Sequence, residues 1–114
     1  MTVQEIVSAL SLEVFAGADH LSSSVTEGYA SDLLSCVLAG ASDGSVWVTL
    51  QAHINVVAVA ALLNLSCVIV TEGRRPNQEC QVKANESGIP ILLSSESTFT
   101  VVSQLVQLGI GGCK

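Results

Sequence analysis

From Ser45 onward the chain repeats one unit: a short β-prone apolar run, a turn, then a stretch with helical spacing. Residues 45–50 (Ser-Val-Trp-Val-Thr-Leu) have strand composition, and residues 52–65 form a helix that is apolar on almost every side. Residues 67–70 (Cys-Val-Ile-Val) make the next strand, followed by a helix that Asn77 caps and Gly88 ends. A short strand over residues 89–93 and a last helix capped by Ser97 complete the series. Strands that alternate with helices imply right-handed crossovers and a mainly parallel open sheet with helices packed on it, so the fold class is α/β.

The first part of the chain adds elements to that series. Thr2 and Glu5 have the spacing of a capping box, which starts a helix over residues 3–10. Residues 12–16 alternate and are β-prone, giving a first strand. The polar, serine-rich residues 17–26 read as a loop with a brief strand around Val25. Ser31 and Asp32 can open a helix carrying Leu33, Leu34, Val37 and Leu38 on one face, with residues 40–44 ending it. In the last helix the same spacing predicts Phe99, Val102, Leu105 and Val106 as the buried stripe. Gly109 stops it, so residues 1–109 read as a single domain and residues 110–114 as a flexible tail.

Composition restricts the partners. With 114 residues the chain fits one domain. Only 4 Lys plus Arg stand against 10 Asp plus Glu, a net charge of −6, so no cluster can neutralise several duplex phosphates and nucleic-acid binding is disfavoured. The most apolar stretch, residues 54–70, is at the lower edge of a membrane-spanning length and carries Asn55, Asn64 and Ser66. A helix followed by a strand accounts for it better, and no membrane association is expected. Mean hydropathy is +0.58 with 12% charged residues, which fits either a homodimer or an unusually well-covered α/β monomer. The homodimer is the working expectation, with the apolar helix at residues 52–65 either buried or at the subunit contact. Cys36, Cys67, Cys80 and Cys113 form no Cys-x-x-Cys pair and have no histidine in zinc-site spacing. No metal or other cofactor is expected. The start of the chain lacks the basic and apolar regions of a signal peptide, so the expected setting is a cytoplasm that keeps the thiols reduced.

In open parallel sheets, ligands gather beyond the carboxyl ends of the strands. That rule selects four loops, residues 17–31, 51–55, 71–77 and 94–98. The candidate ligand-binding residues within them are His53, Asn55, Thr71, Glu72, Gly73, Arg74, Ser97 and Thr98. Each also has a plainer role. His53 can be a surface or interface histidine, and the serines and threonines can be helix caps. Arg74 and Arg75 supply half of the positive charge, either as an anion clamp or as a solvated loop pair. Asp32, His53 and a serine do not make a hydrolytic triad, because no Gly-x-Ser-x-Gly elbow is present.

The segments Gly28-Tyr29-Ala30-Ser31-Asp32-Leu33-Leu34-Ser35, Val46 to Gln51, Asn55 to Ala60, Val68 to Gly73 with Pro76, and Gly88 to Leu92 followed by Ser97-Thr98-Phe99 together resemble the DRTGG domain family. The likeness is to its small stand-alone bacterial members, which are themselves similar to the amino-terminal domain of HPr kinase/phosphorylase. It implies an α/β fold, self-association, and sensing or regulation rather than chemistry. Two departures stand out. The Asp-Arg pair of the family name would fall near Ala52 and His53, and the closing Thr-Gly-Gly is here Thr71-Glu72-Gly73. Kinase activity is not implied, since no phosphate-binding loop is present. Residues 109–114 resemble one only superficially, with no hydroxyl residue after Lys114. The expected function is a non-catalytic regulatory module binding a small anionic metabolite or a partner protein. The alternative is a structural oligomerisation subunit of a larger enzyme complex.

Overall fold

The computed structural model describes residues 1–113. Five strands, β1 (Glu13–Ala16), β2 (Glu27–Ala30), β3 (Ser45–Thr49), β4 (Cys67–Val70) and β5 (Ile91–Leu93), form one sheet in the order β1-β5-β4-β3-β2. Strands β2 to β5 run parallel, and β1 pairs antiparallel with β5 at the edge. The helices are α1 (Val3–Leu10), α2 (Leu34–Gly40), α3 (Asn55–Leu63), α4 (Gln78–Ser87) and α5 (Thr98–Gln107), with one 3-10 turn at Ala18–His20. The expected fold class is therefore observed.

The strands separate two cores. Trp47, Val68, Val70, Ile91 and Leu93 face α2, α3 and α4, where they meet Val37, Val57, Ala60, Cys80 and Ala84. Val46, Val48, Cys67, Ile69 and Leu92 face α1 and α5, against Val3, Ile6, Val101 and Leu105. Side chains alternate across a strand, so β3 and β4 are buried on both sides and read as continuous apolar runs. The register pairs Ala30 with Val48, Thr49 with Val70, and Val70 with Leu93, which sets the carboxyl ends of the four parallel strands on one rim. Because β1 is antiparallel, its start, Glu13, lies beside Leu93 on that rim.

Local signals behave as expected where caps are strong. Thr2 and Glu5 make the reciprocal capping box, Asn77 and Ser97 accept from the third helical amide, and Gly88 ends α4 in the left-handed region. Elsewhere nonlocal packing overrules local pattern. Val25 lies outside any strand, and the unexpected strand β2 starts at Glu27 because β3 offers it a parallel ladder. Helix α2 begins at Leu34, since Asp32 is turned back onto the end of β3. Ala52 and His53 lie ahead of α3. The buried face of α5 is Val101 and Leu105, while Phe99 and Val106 face solvent, contrary to the expected stripe.

The expected flexible tail is also corrected over residues 110–113. Ile110 is buried, Gly28 donates to the Gly111 carbonyl at 2.8 Å, and Cys113 donates back to the Gly28 carbonyl at 3.0 Å. This backbone lies against the β2 edge, with Gly112 bridged to Gly28, and Cys113 Sγ sits 3.1 Å from Ser45 Oγ. Lys114 lies outside the described residues. Among the described residues no helix is long and apolar enough to cross a membrane.

Candidate functional site

The rim is built from short hydrogen-bonding side chains at strand ends. Asp32, just past β2, accepts through Oδ1 from Thr49 Oγ1 at 2.9 Å and from the Leu50 amide at 2.8 Å. Gln51 fixes the same corner, its side chain donating to the Asp32 carbonyl at 3.1 Å. The Thr49 carbonyl accepts from the Thr71 amide at 3.0 Å and from Thr71 Oγ1 at 3.4 Å. Thr71 Oγ1 in turn lies 2.6 Å from Thr98 Oγ1, and the Thr98 amide donates to Glu72 Oε2 at 2.8 Å. A hydrogen-bonded series thus runs along the ends of β2, β3 and β4 to the start of α5. No buried side-chain polar atom among the described residues lacks a partner.

Glu72 and Gly73 both have left-handed backbone, φ 63° and 69°. Glycine takes this conformation freely and glutamate does not. At Glu72 the cost is offset by what the turn achieves. The Glu72 amide donates to the Glu96 carbonyl at 2.8 Å, and the carboxylate caps the positive end of α5. The Gly73 amide donates to the Ser94 carbonyl, joining the loops after β4 and β5.

Beside these loops lies a cleft of about 450 Å³, walled by Leu10 and Ser11 at the end of α1, by Gly73, Arg74 and Arg75, and by Ser94, Ser95 and Glu96. Arg75 spans it to Glu13 with two bonds of 3.0 and 2.7 Å and stacks over Phe15 at 5.2 Å. The Arg75 hydrogen bond holds the Glu13 carboxyl below its usual range, and Glu13 raises the guanidinium in return. This is the only ion pair among the described residues, so Arg74 is exposed in the cleft wall without an ionic partner there.

The candidates divide accordingly. Gly73 and Arg74 line the cleft. Thr71 is fully buried and acts as a staple between strands. Glu72, Ser97 and Thr98 belong to the cap of α5, where Ser97 Oγ accepts from the Thr100 amide at 3.2 Å. His53 and Asn55 are exposed at the end of β3, outside the cleft, with the Asn55 amide donating to His53 Nδ1 at 3.1 Å. Asp32 and Thr49 join the rim network without having been singled out as binding residues. An acid directly after a recognised β2 would have been the signal for that corner. The thiols are not part of the rim; burial pushes the Cys67 thiol up to about 12 and raises that of Cys80. No group of three or more metal-ligating side chains occurs among the described residues.

The sequence profile of the DRTGG domain matches residues 5–108. The chain belongs to the DRTGG domain family. Against the family name, the turn at Thr71-Glu72-Gly73 keeps the glycine-like backbone but uses a glutamate to bind the neighbouring helix. Comparison with curated proteins finds no match. Among solved structures, the chain is similar to the CBS and DRTGG domains of the regulatory region of a Clostridium perfringens pyrophosphatase, complexed with its activator diadenosine tetraphosphate. The TM-score is 0.73 at 19% identity, covering 93% of this chain and 46% of that one. The DRTGG fold thus extends over nearly all of the present chain, which spans less than half of that regulatory region.

Proposed function

We propose that this DRTGG domain is a non-catalytic, homodimeric regulatory module of the cytoplasm, and that its rim cleft takes a small anionic ligand bearing phosphate groups, of the nucleotide class. The observation that carries this reading is the cleft itself, where Arg74 stands without an ionic partner beside open Gly73 backbone and the hydroxyls of Ser11, Ser94 and Ser95. A guanidinium and several hydroxyl donors suit phosphate oxygens, whereas Arg75 is already engaged by Glu13. Gly73 and Arg74 would contact the anion. Thr71, Glu72, Ser97 and Thr98 would hold the cleft wall in place, and His53 and Asn55 would extend the surface across the end of β3. The activator-bound pyrophosphatase region supports a nucleotide as the first ligand to try. The four free thiols accord with a reducing compartment.

Calorimetric titration with ATP, ADP, diadenosine tetraphosphate and inorganic phosphate tests the ligand. Saturable binding of at least one probe is expected, weakened about tenfold or more by Arg74→Ala, the loss of one charge-assisted contact. Absence of heat with all four, together with unshifted Gly73 and Arg74 amide resonances, would exclude this ligand class.

A further inference from the structure

Residues 97–113 contain no Asp, Glu, Lys, Arg or His, in a protein of net charge −6. Helix α5 lies within this run. Its outward stripe is Phe99, Ser103 and Val106, spaced four and three apart, with Val102 half-buried at its edge against the core. Phe99 is 86% exposed, the most of any large hydrophobic residue, and Val106 is 60% exposed. Next to the stripe, between α5 and the β2 edge, is an apolar groove of about 210 Å³. It is lined on the β2 side by Gly28, Tyr29 and Ala30, and it is open because Tyr29 packs on the opposite core while Gly28 and Ala30 are small, facing Val102, Val106 and Ile110.

We propose that α5 and this groove form an isologous contact between two copies of the chain. The α5 helices would lie antiparallel across a two-fold axis near Val102 and Ser103. The contact rests on the reading above that the module self-associates, and it names the surface. A two-fold contact must be complementary to itself. Here a projecting ring and a hollow sit on one helix seven residues apart, about 10 Å along its axis. Antiparallel pairing exchanges them, setting Phe99 against the partner's Val106 and its groove. The absence of charge points to a second copy as the occupant. Charges near a two-fold axis meet their own kind, so on an acidic protein an uncharged patch lets two copies approach without like-charge repulsion.

Light scattering after size exclusion tests the contact, with Phe99→Lys and Val106→Glu made separately. Both side chains are exposed, so thermal melts should show each variant folded. The parent chain should run at twice 11.8 kDa. Each single variant should run as a monomer, with association weakened about a hundredfold or more. Mixing the two variants should restore the dimer, since one lysine then faces one glutamate. A parent chain that remains monomeric at high concentration would overturn both self-association and this surface. A dimer that survives both substitutions, or one dissociated instead by Leu62→Glu on α3, would leave self-association standing and overturn the α5 contact.

Discussion

Two concavities of the molecule are finished in opposite ways. Along the rim, the polar groups of Asp32, Thr49, Thr71, Glu72 and Thr98 bind one another, so that surface has fixed geometry and a nearby charged cleft. Between α5 and β2 the surface is apolar, uncharged and unfilled, and its shape comes from what two small residues leave out. The difference follows from side-chain choice on neighbouring positions. Ser, Thr and Asp at strand ends satisfy backbone groups that the sheet leaves open, whereas Gly28 and Ala30 on an edge strand withhold the atoms that would cover α5. The first region presents polar and charged groups in fixed positions, and the second offers only area to bury.

The comparison is broken most severely by taking an acceptor from the rim. Asp32→Ala removes the partner of the buried Thr49 hydroxyl and of the Leu50 amide. Hydrogen bonds to a charged group contribute about 1.5–3 kcal/mol each, and exposure of Asp32 places the joint loss at the lower part of that scale, about 2 kcal/mol. Urea denaturation should show this loss, and Asp32→Asn, which keeps an acceptor oxygen, should recover part of it. An unchanged midpoint in Asp32→Ala would mean that the rim is not held by this network.

Much of this architecture is legible in the sequence, for identifiable reasons. Thr2 with Glu5, Asn77, Ser97 and Gly88 are local devices, and each acts where its spacing says. The order of elements after Ser45 placed the turns at His53, Thr71 and Ser97 at the carboxyl ends of their strands, and the parallel register does so. Strand β2 was not legible. Glu27-Gly28-Tyr29-Ala30 has little strand composition, and its conformation comes from β3 on one edge and residues 111–113 on the other. Without β2, the contact of Asp32 with Thr49 cannot be seen. In α5 two adjacent stripes are apolar, and periodicity alone cannot say that the sheet takes Val101 and Leu105 while Phe99 is left outside. The glycine-rich end reads as flexible because glycine permits disorder, yet burial of Ile110 and two backbone hydrogen bonds with Gly28 hold it in place.

Adding atoms to the groove sharpens the contrast, because it should stabilise where removal from the rim destabilises. A Cβ on Gly28 would meet Ile110 and Val46 at 3.5 Å, an ordinary contact, and the backbone there is not left-handed. Gly28→Ala should therefore raise stability by about 0.5 kcal/mol through a less flexible unfolded chain. The same methyl narrows the hollow, so dimer affinity should fall as the monomer becomes more stable. A variant whose melting temperature and association both rise would show that the hollow is not the contact.

The smallest effect concerns acid, and only one of the two regions can show it. Glu5, bound by the Thr2 backbone and side chain, and Glu13, bound by Arg75, both have carboxyls held below their usual range. A carboxylate with a lowered pKa in the folded state stabilises fully above its unfolded value, about 4.3 for glutamate, and this contribution is lost as pH falls below that value through the folded one. Protonating Glu13 also releases Arg75 at the cleft wall. Acid should therefore lower the melting temperature and at the same time make the cleft more positive. Arg75→Gln should remove the salt-sensitive part of the acid response, because the pair is exposed and screened by ions, while the capping-box part at Glu5 persists. Residues 97–113 hold no Asp, Glu or His to titrate, so self-association through α5 should stay level across the same interval. An acid response identical in the parent chain and Arg75→Gln would remove Glu13 as its source. A dimer that dissociates in step with the melting shift would tie the contact to charged residues away from α5.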